Sequence, residues 1–349
     1  MKRDKMPMPR PLYSRRGRVE ILHGSGGRAM AQLVAELFKV AFDNAWLEQG
    51  NDAAVLPQVS GRLVMSCDSH VVSPLFFEGG DIGCLSVHGT INDVSMMGAQ
   101  PLYLTASFIL EEGFPFADLE RIVASMASAA RDAGVSIVAG DTKVVEKGKG
   151  DGVFITTTGI GVLREGIVLS GDLAQPGDRI LLSGTIGDHG MAVLSRRENL
   201  EFDAPIFSDT APLHGLVATM LDCGARVRVL RDPTRGGLAT TLNEIAQQSG
   251  VGMLLNESAI PVNKPVEAAC EFLGLDPLYV ANEGKLVAVC APEDAVHLLE
   301  VMRAHPLARE AAAIGEVTED SRRFVQMDTR LGGRRIVDWL AGEPLPRIC

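Results

Sequence analysis

Nowhere does the chain contain G-x-x-x-x-G-K-[ST], and the dinucleotide fingerprint G-x-G-x-x-G is missing as well. Both common glycine-loop schemes for phosphates are excluded, so any nucleotide site has to be built another way. The six cysteines (67, 84, 223, 270, 290 and 349) include no C-x-x-C pair, which excludes a zinc ribbon and a thioredoxin-like motif. So few in 349 residues do not make a disulfide scaffold. No apolar run approaches the roughly 20 residues of a membrane span. Ser14-Arg15-Arg16-Gly17 has no apolar stretch behind it, so it does not read as an export signal, and a reduced cytoplasm is the expected location. Basic residues are outnumbered 33 to 44, for a net charge of -11, which argues against nucleic acid as the main partner.

What is present is a globular composition, 46% hydrophobic and 22% charged, long enough for two cores. Residues 1–17 read as a flexible lead. Val19–Leu22 reads as a short strand and Ala29–Phe42 as a helix with Met30, Leu33, Val34, Leu37, Phe38 and Ala41 on one face. Strand patterns follow at 62–67, 102–110, 135–139 and 153–162, with helical patterns at 82–97 and 119–133. A boundary is expected in SGDLAQPGD, near 170, dividing an 18–170 block from a second α/β block over 171–330. That block includes a strand at 179–183, a helix at 238–248 and strands near 286–290 and 314–317. Residues 331–349 are expected as a mobile tail, because Pro344 and Pro346 forbid a helix near its end.

Three glycine-rich strings open helices: HGSGG (23–27), GTIGDHG (184–190) and DPTRGG (232–237). Free N–H groups at such helix starts suit phosphate, although a glycine turn is often only structural. Four carboxylates stand out. Asp52 lies in Asn51-Asp52-Ala53-Ala54, Asp68 and Asp141 close apolar strands, and Asp93 follows Asn92 in a helix. Four acids converging at one sheet edge need a cation among them, and oxygen donors beside phosphates suit Mg²⁺. The last residue is a cysteine, Cys349, on a proline-stiffened tail. Prenylation does not account for it, because that signal needs the cysteine four residues from the end.

The strings HGSGG, NDAAV, CDSHVVSPLFFEGGDIG, GTINDVSMMGA, AGDTKVV, DPTRGG, NEGK and the terminal PRIC run in order from residue 23 to 349. Together they resemble the hydrogenase maturation carbamoyl dehydratases (HypE). These share an acidic ATP–Mg site with aminoimidazole ribonucleotide synthetase, selenophosphate synthetase and thiamine-monophosphate kinase. The resemblance implies a two-domain α/β (α+β) fold of the aminoimidazole ribonucleotide synthetase type with a flexible tail, and a homodimer made by joining N-terminal-domain strands into a barrel. It implies that a carbamoyltransferase, HypF, loads the thiol of Cys349. ATP then activates the carboxamide oxygen, dehydration leaves a thiocyanate, and cyanide passes to iron on a HypC–HypD scaffold for a nickel–iron hydrogenase.

Carried over by motif, Asp52, Asp68, Asp93 and Asp141 hold Mg²⁺, Lys143 stabilises developing charge and Glu283 is the base. Gly24, Gly26, Gly27, Asn92, Thr142, Thr234, Arg235, Gly236 and Gly237 bind the nucleotide. Two rivals stay open at this point. A phosphotransferase or synthetase acting on a free small molecule needs the acids but not Cys349. A non-catalytic carrier of a carbamoyl or cyanide group needs Cys349 but not the acids.

Overall fold

The computed structural model describes residues 17–200, 202, 204–342, 345 and 347–349. Most of the expected lead (1–16), with Pro344 and Pro346, lies outside these. The polypeptide opens with short helices, α1 (Arg28–Leu33), α2 (Lys39–Phe42) and α3 (Ala45–Gln49). A π-helical turn, Val34–Phe38, interrupts the single helix expected there. Val19–Leu22 is not a strand: Ile21–Gly24 forms a 3₁₀ turn closed by His23, whose Nδ1 accepts from the Glu20 N–H at 3.0 Å.

The first half then runs β1 (Leu63–His70), a two-residue ladder β2 (Phe76–Phe77) and β3 (Gly80–Asp81), α4 (Ile82–Met96), β4 (Ala99–Glu111), α5 (Phe116–Asp132), β5 (Ser136–Val145) and β6 (Val153–Leu163). Its sheet has the order β1-β6-β4-β5, with only β4 and β5 parallel. Helix α4 lies across β1, β6 and β4 and is buried nearly all round, because the second half covers its other side. Its small residues permit that. A Cβ on Gly83 would stand 2.3 Å from the Ile122 carbonyl of α5, so only glycine allows this crossing.

Among the described residues the opposite face of the sheet has little cover. Along β1 burial alternates: Val64, Ser66, Asp68 and His70 turn toward α4, while Leu63, Met65, Cys67 and Ser69 are exposed. Met65 is 71% exposed, against 0% for Ile91 in α4.

The second half comprises β7 (Arg179–Leu182), α6 (Asp188–Glu198), α7 (His214–Asp222), β8 (Val227–Arg231), α8 (Gly237–Ser249), β9 (Gly252–Asn256), α9 (Lys264–Leu273), β10 (Val287–Cys290), α10 (Ala295–Ala304), β11 (Ala312–Thr318), β12 (Val325–Asp328) and β13 (Arg334–Ile336). Its seven strands take the order β13-β12-β9-β11-β7-β10-β8, antiparallel except between β9 and β12. Strand β13 falls within the segment expected as tail, which therefore begins as a sheet edge.

The chain end is also ordered. The Val71 N–H donates to the Cys349 carbonyl at 2.9 Å and the Ser73 N–H to the Arg347 carbonyl at 3.1 Å. Leu345 and Ile348 are buried in the core shared by α4, α5, α6 and α9. The mobile tail expected from its prolines is here docked, with donors far away in sequence satisfying its carbonyls.

Candidate functional site

Cys349 is brought to the seam between the halves by that docking. Its half-buried thiol lies in the field of Glu283, Asp68 and Asp232, with Arg235 opposing them. Burial first, and these carboxylates second, push its pKa far above the ordinary thiol value. The docked sulfur is a neutral thiol and a poor nucleophile.

Asp68 reaches the seam from β1, whose inward face it shares with Ser66. Asp93 comes from α4 and accepts from the Ser66 hydroxyl at 2.5 Å. Burial raises the pKa of both, and Asp68 raises that of Asp93 further. Asp232, the first residue of DPTRGG, is pushed up to about 7 by burial and by Asp93 and Asp68.

Glu283 is raised well above its usual value by burial and then by Asp232, Asp209, Asp68 and Asp93. Its Oε1 is buried with no hydrogen-bond partner among the described residues. Its backbone is fixed on both sides. The N–H donates to Asp209 Oδ1 at 3.0 Å, and the carbonyl accepts from Asn92 Nδ2 at 3.1 Å. Gly284 follows because a Cβ there would stand 1.8 Å from the Asp209 carbonyl. Lys285 pairs with Asp209 at 3.2 Å. Thr234 and Arg235 line a cleft of about 600 Å³ with Asp93 and Asp232, at the start of α8. Gly236 and Gly237 both take positive φ there.

The remaining expected residues stand elsewhere. Asp141 and Lys143 lie on β5, the opposite edge of the sheet from β1. The Asp68 row crosses Thr157 and Ala106 to Gly140, three strand spacings or about 14 Å. Asp141 is exposed and paired with Lys143, whose ammonium holds its pKa below the usual value. Thr142 is buried beside it. Gly24 packs on β5, with Val144 N only 2.4 Å from a would-be Cβ, while Gly26 and Gly27 face open space before α1. Asp52 sits exposed in a bend before β1.

A single chain thus splits the expected site in two. The four acids do not converge at one sheet edge, because β1 and β5 are the two outer strands. Nor do Asp68 and Asp141 end their strands: both sit well inside them, at edges where polar side chains are tolerated. Among the described residues no three His, Cys, Asp or Glu side chains are gathered closely enough to hold a metal. Asn92, expected to bind nucleotide, spends its amide on the Ala211 and Glu283 carbonyls and accepts from the Leu213 N–H. Sequence reasoning had passed over Asp232, although it heads a motif already singled out. Asp209 carried no sequence signal.

Comparison with known proteins accords with this geometry. The model for the N-terminal domain of AIR synthase related proteins matches residues 50–163, and that for their C-terminal domain matches 175–328. A carbamoyl dehydratase HypE of Cupriavidus necator is 69% identical, with 99% of each chain covered. That of Escherichia coli is 46% identical over 95% of this chain and 99% of its own. A crystal structure of hydrogenase maturation protein HypE in complex with ATP superposes with a TM-score of 0.91 at 52% identity, covering 95% of this chain and 99% of that one. One of a HypE–HypF complex gives 0.78 at 54% identity, covering 88% and 99%. A thiamine-monophosphate kinase from Stenotrophomonas maltophilia, 22% identical over 80% of this chain and 89% of its own with a TM-score of 0.62, shares the fold alone. The chain belongs to the carbamoyl dehydratase HypE family, within the AIR synthase related proteins.

Proposed function

We propose that this chain carries out ATP-dependent dehydration of a carbamoyl group held on its own Cys349, giving an S-bound cyanide for hydrogenase maturation. The observation that carries the reading is the docked terminal thiol among Glu283, Asp68 and Asp232. A small-molecule phosphotransferase has no use for a docked terminal cysteine, and a passive carrier has no use for a buried carboxylate in the same seam.

The thiocarbamate S–C(=O)–NH₂ must lose its oxygen and both nitrogen-bound protons. Transfer of the γ-phosphoryl of ATP to the carboxamide oxygen makes that oxygen leave as phosphate, and C≡N remains on sulfur. Glu283 is the proposed proton acceptor: among the described residues its Oε1 has no competing partner, and burial makes its carboxylate more basic than a surface one. The same burial, with Asp232 and its neighbours, disfavours the charged form of Glu283, so positive charge in the cluster favours the base.

Mg²⁺ suits that role. Asp68, Asp93 and Asp232 are hard oxygen donors; no three of them gather round one ion, but Mg²⁺ commonly takes one or two carboxylates and completes its shell with phosphates and water, so one or two of these would serve. Bound there, it would neutralise charge on the transferring phosphoryl group. Arg235 and Thr234 flank the space for the phosphates.

Lys143 and Asp141 complete the site from a second copy. Among the described residues no further strand pairs with either edge of the β1-β6-β4-β5 sheet, and one face bears the exposed Leu63, Met65 and Ile109. Two such sheets closing into a barrel pair β1 of each subunit with β5 of the other, which buries that face and sets the partner's β5 beside Asp68. HypF is the carbamoyl donor, as the HypE–HypF complex of a relative supports. A HypC–HypD scaffold is the proposed acceptor and the cytoplasm the proposed location. Among the described residues no helix is long and apolar enough to cross a membrane.

Replacing Cys349 by Ala tests the reading. ATP binding should persist while cyanide delivery to the hydrogenase is lost. Undiminished maturation by Cys349→Ala would return the small-molecule phosphotransferase.

A further inference from the structure

The loop Gly184–Gly190 has the look of a phosphate cradle, but its amides are occupied within the protein. The Ile186 N–H donates to the Pro261 carbonyl at 3.1 Å, Gly187 to Asn282 Oδ1 at 2.8 Å and Gly190 to the Ala281 carbonyl at 3.0 Å. What this loop presents instead is His189, wholly buried in the first turn of α6 with its ring edge-on to Phe77.

The hydrogen bonds around His189 fix its tautomer. Ser208 Oγ accepts from the Thr210 N–H at 3.2 Å and lies 2.8 Å from His189 Nδ1. The Ile348 carbonyl, 2.8 Å from Nε2, can only accept, so the ring proton sits on Nε2 and the Ser208 hydroxyl proton points at Nδ1. Burial keeps the imidazole neutral.

Around this contact the tail is held from two sides, past a left-handed turn at Arg347. Val71 and Ser73 engage the carbonyls of Cys349 and Arg347 from the end of β1. Arg197, in the last turn of α6, donates to the Arg347 and Ser73 carbonyls at 2.7 Å each. The intervening carbonyl, of Ile348, faces the other way and is taken by His189. Gly190 lets Leu345 close in: a Cβ there would stand 2.5 Å from Val280 Cγ1 and 3.3 Å from Leu345 Cδ1.

We propose that His189 is a positioning residue, the clasp that sets the register of the docked tail so that the Cys349 sulfur stops before Glu283. Backbone donors spaced two residues apart accept a slipped tail as readily as the native one, whereas a single donor on the opposite side does not. The inference rests on the dehydration reading for its purpose, but docking can be measured without turnover.

The test is alkylation of Cys349 in the full-length, nucleotide-free protein, followed by mass spectrometry of the C-terminal peptide. His189→Ala should raise the Cys349 rate about tenfold, the worth of one buried hydrogen bond, with the other five cysteines unchanged. Dehydration of a preloaded carbamoyl group should slow by a similar factor, while loading, which uses the undocked tail, should not be slowed. His189→Gln, which keeps a donor near the same carbonyl, should recover part of both. An unchanged Cys349 rate in a folded His189→Ala protein overturns the clasp. If that variant does not fold, Ser208→Ala decides. It frees the tautomer with the ring in place, and a rise in the Cys349 rate supports the clasp, whereas none overturns it. A rise in alkylation with no dehydration even in the unaltered protein supports the clasp and sinks the dehydration reading instead.

Discussion

Cys349 and Glu283 meet opposite demands in turn. The thiol has to be reactive when it is loaded, yet docked among carboxylates it is held as a neutral thiol. Loading therefore belongs to an undocked tail and dehydration to the docked one. Glu283→Gln removes the proton acceptor but keeps size and backbone contacts. It should accept the carbamoyl group normally and lose at least about a hundredfold in dehydration, as single-turnover kinetics can show. Asp232 makes a second residue-scale prediction. Its carboxyl titrates near 3.8 unfolded and about 7 folded, so between those values the folded protein binds more protons. Stability then falls as pH rises through that window. Asp232 is only half-buried, so screening holds the effect to on the order of 1 kcal/mol. Metal-free Asp232→Asn should melt a few degrees above the unaltered protein at pH 7.5 and no higher near pH 4.

The tail and the open sheet carry the argument at the level of elements. Four hydrogen bonds to tail carbonyls contribute about 1 kcal/mol each, and burial of Ile348 and Leu345 about 2 kcal/mol each. Ordering the four described residues costs roughly 4–8 kcal/mol, so docking is favoured only modestly and the tail can swing. For the sheet, the account requires Lys143 to act across the dimer while Glu283 and Cys349 act within one chain. Lys143→Ala and Glu283→Gln proteins should each be inactive alone, yet regain about a quarter of full activity when mixed and allowed to exchange subunits. No recovery in a verified mixed dimer would place Lys143 in its own chain's site. Most strands and helices were legible from periodicity, whereas Glu283 was singled out only through the family resemblance of its motif, and Cys349 by its place at the end of the sequence. The pairing order that sends Asp68 and Asp141 to opposite edges was not legible, since local pattern does not encode which strands become neighbours. Docking of the tail was equally hidden, because its donors at Val71, Ser73, His189 and Arg197 share no pattern with the tail. The expected Val19–Leu22 strand failed because a histidine that bonds its own turn closes a 3₁₀ helix there.

For the whole molecule, the two sheets frame a seam where the chain's end meets acids from both halves. Asp68 and Asp93 come from the first, and Asp232 and Glu283 from the second. Asn92 ties them together, bonding from α4 to the Glu283 and Ala211 carbonyls of the second half. Asn92→Ala should therefore melt lower by about 2 kcal/mol, since it strands buried carbonyls, and should slow dehydration more than it weakens ATP binding. The central claim is that the dehydrated group sits on the terminal sulfur and that this protein itself dehydrates it. Mass spectrometry of the C-terminal peptide, after loading by HypF and incubation with Mg²⁺ and ATP, tests it most directly. The account predicts that Cys349 carries a carbamoyl group before ATP and the same group less one water after it, with Glu283→Gln halted at the first mass. A loaded protein that keeps its carbamoyl mass through ATP hydrolysis, or a lost water in Glu283→Gln at the normal rate, would contradict it.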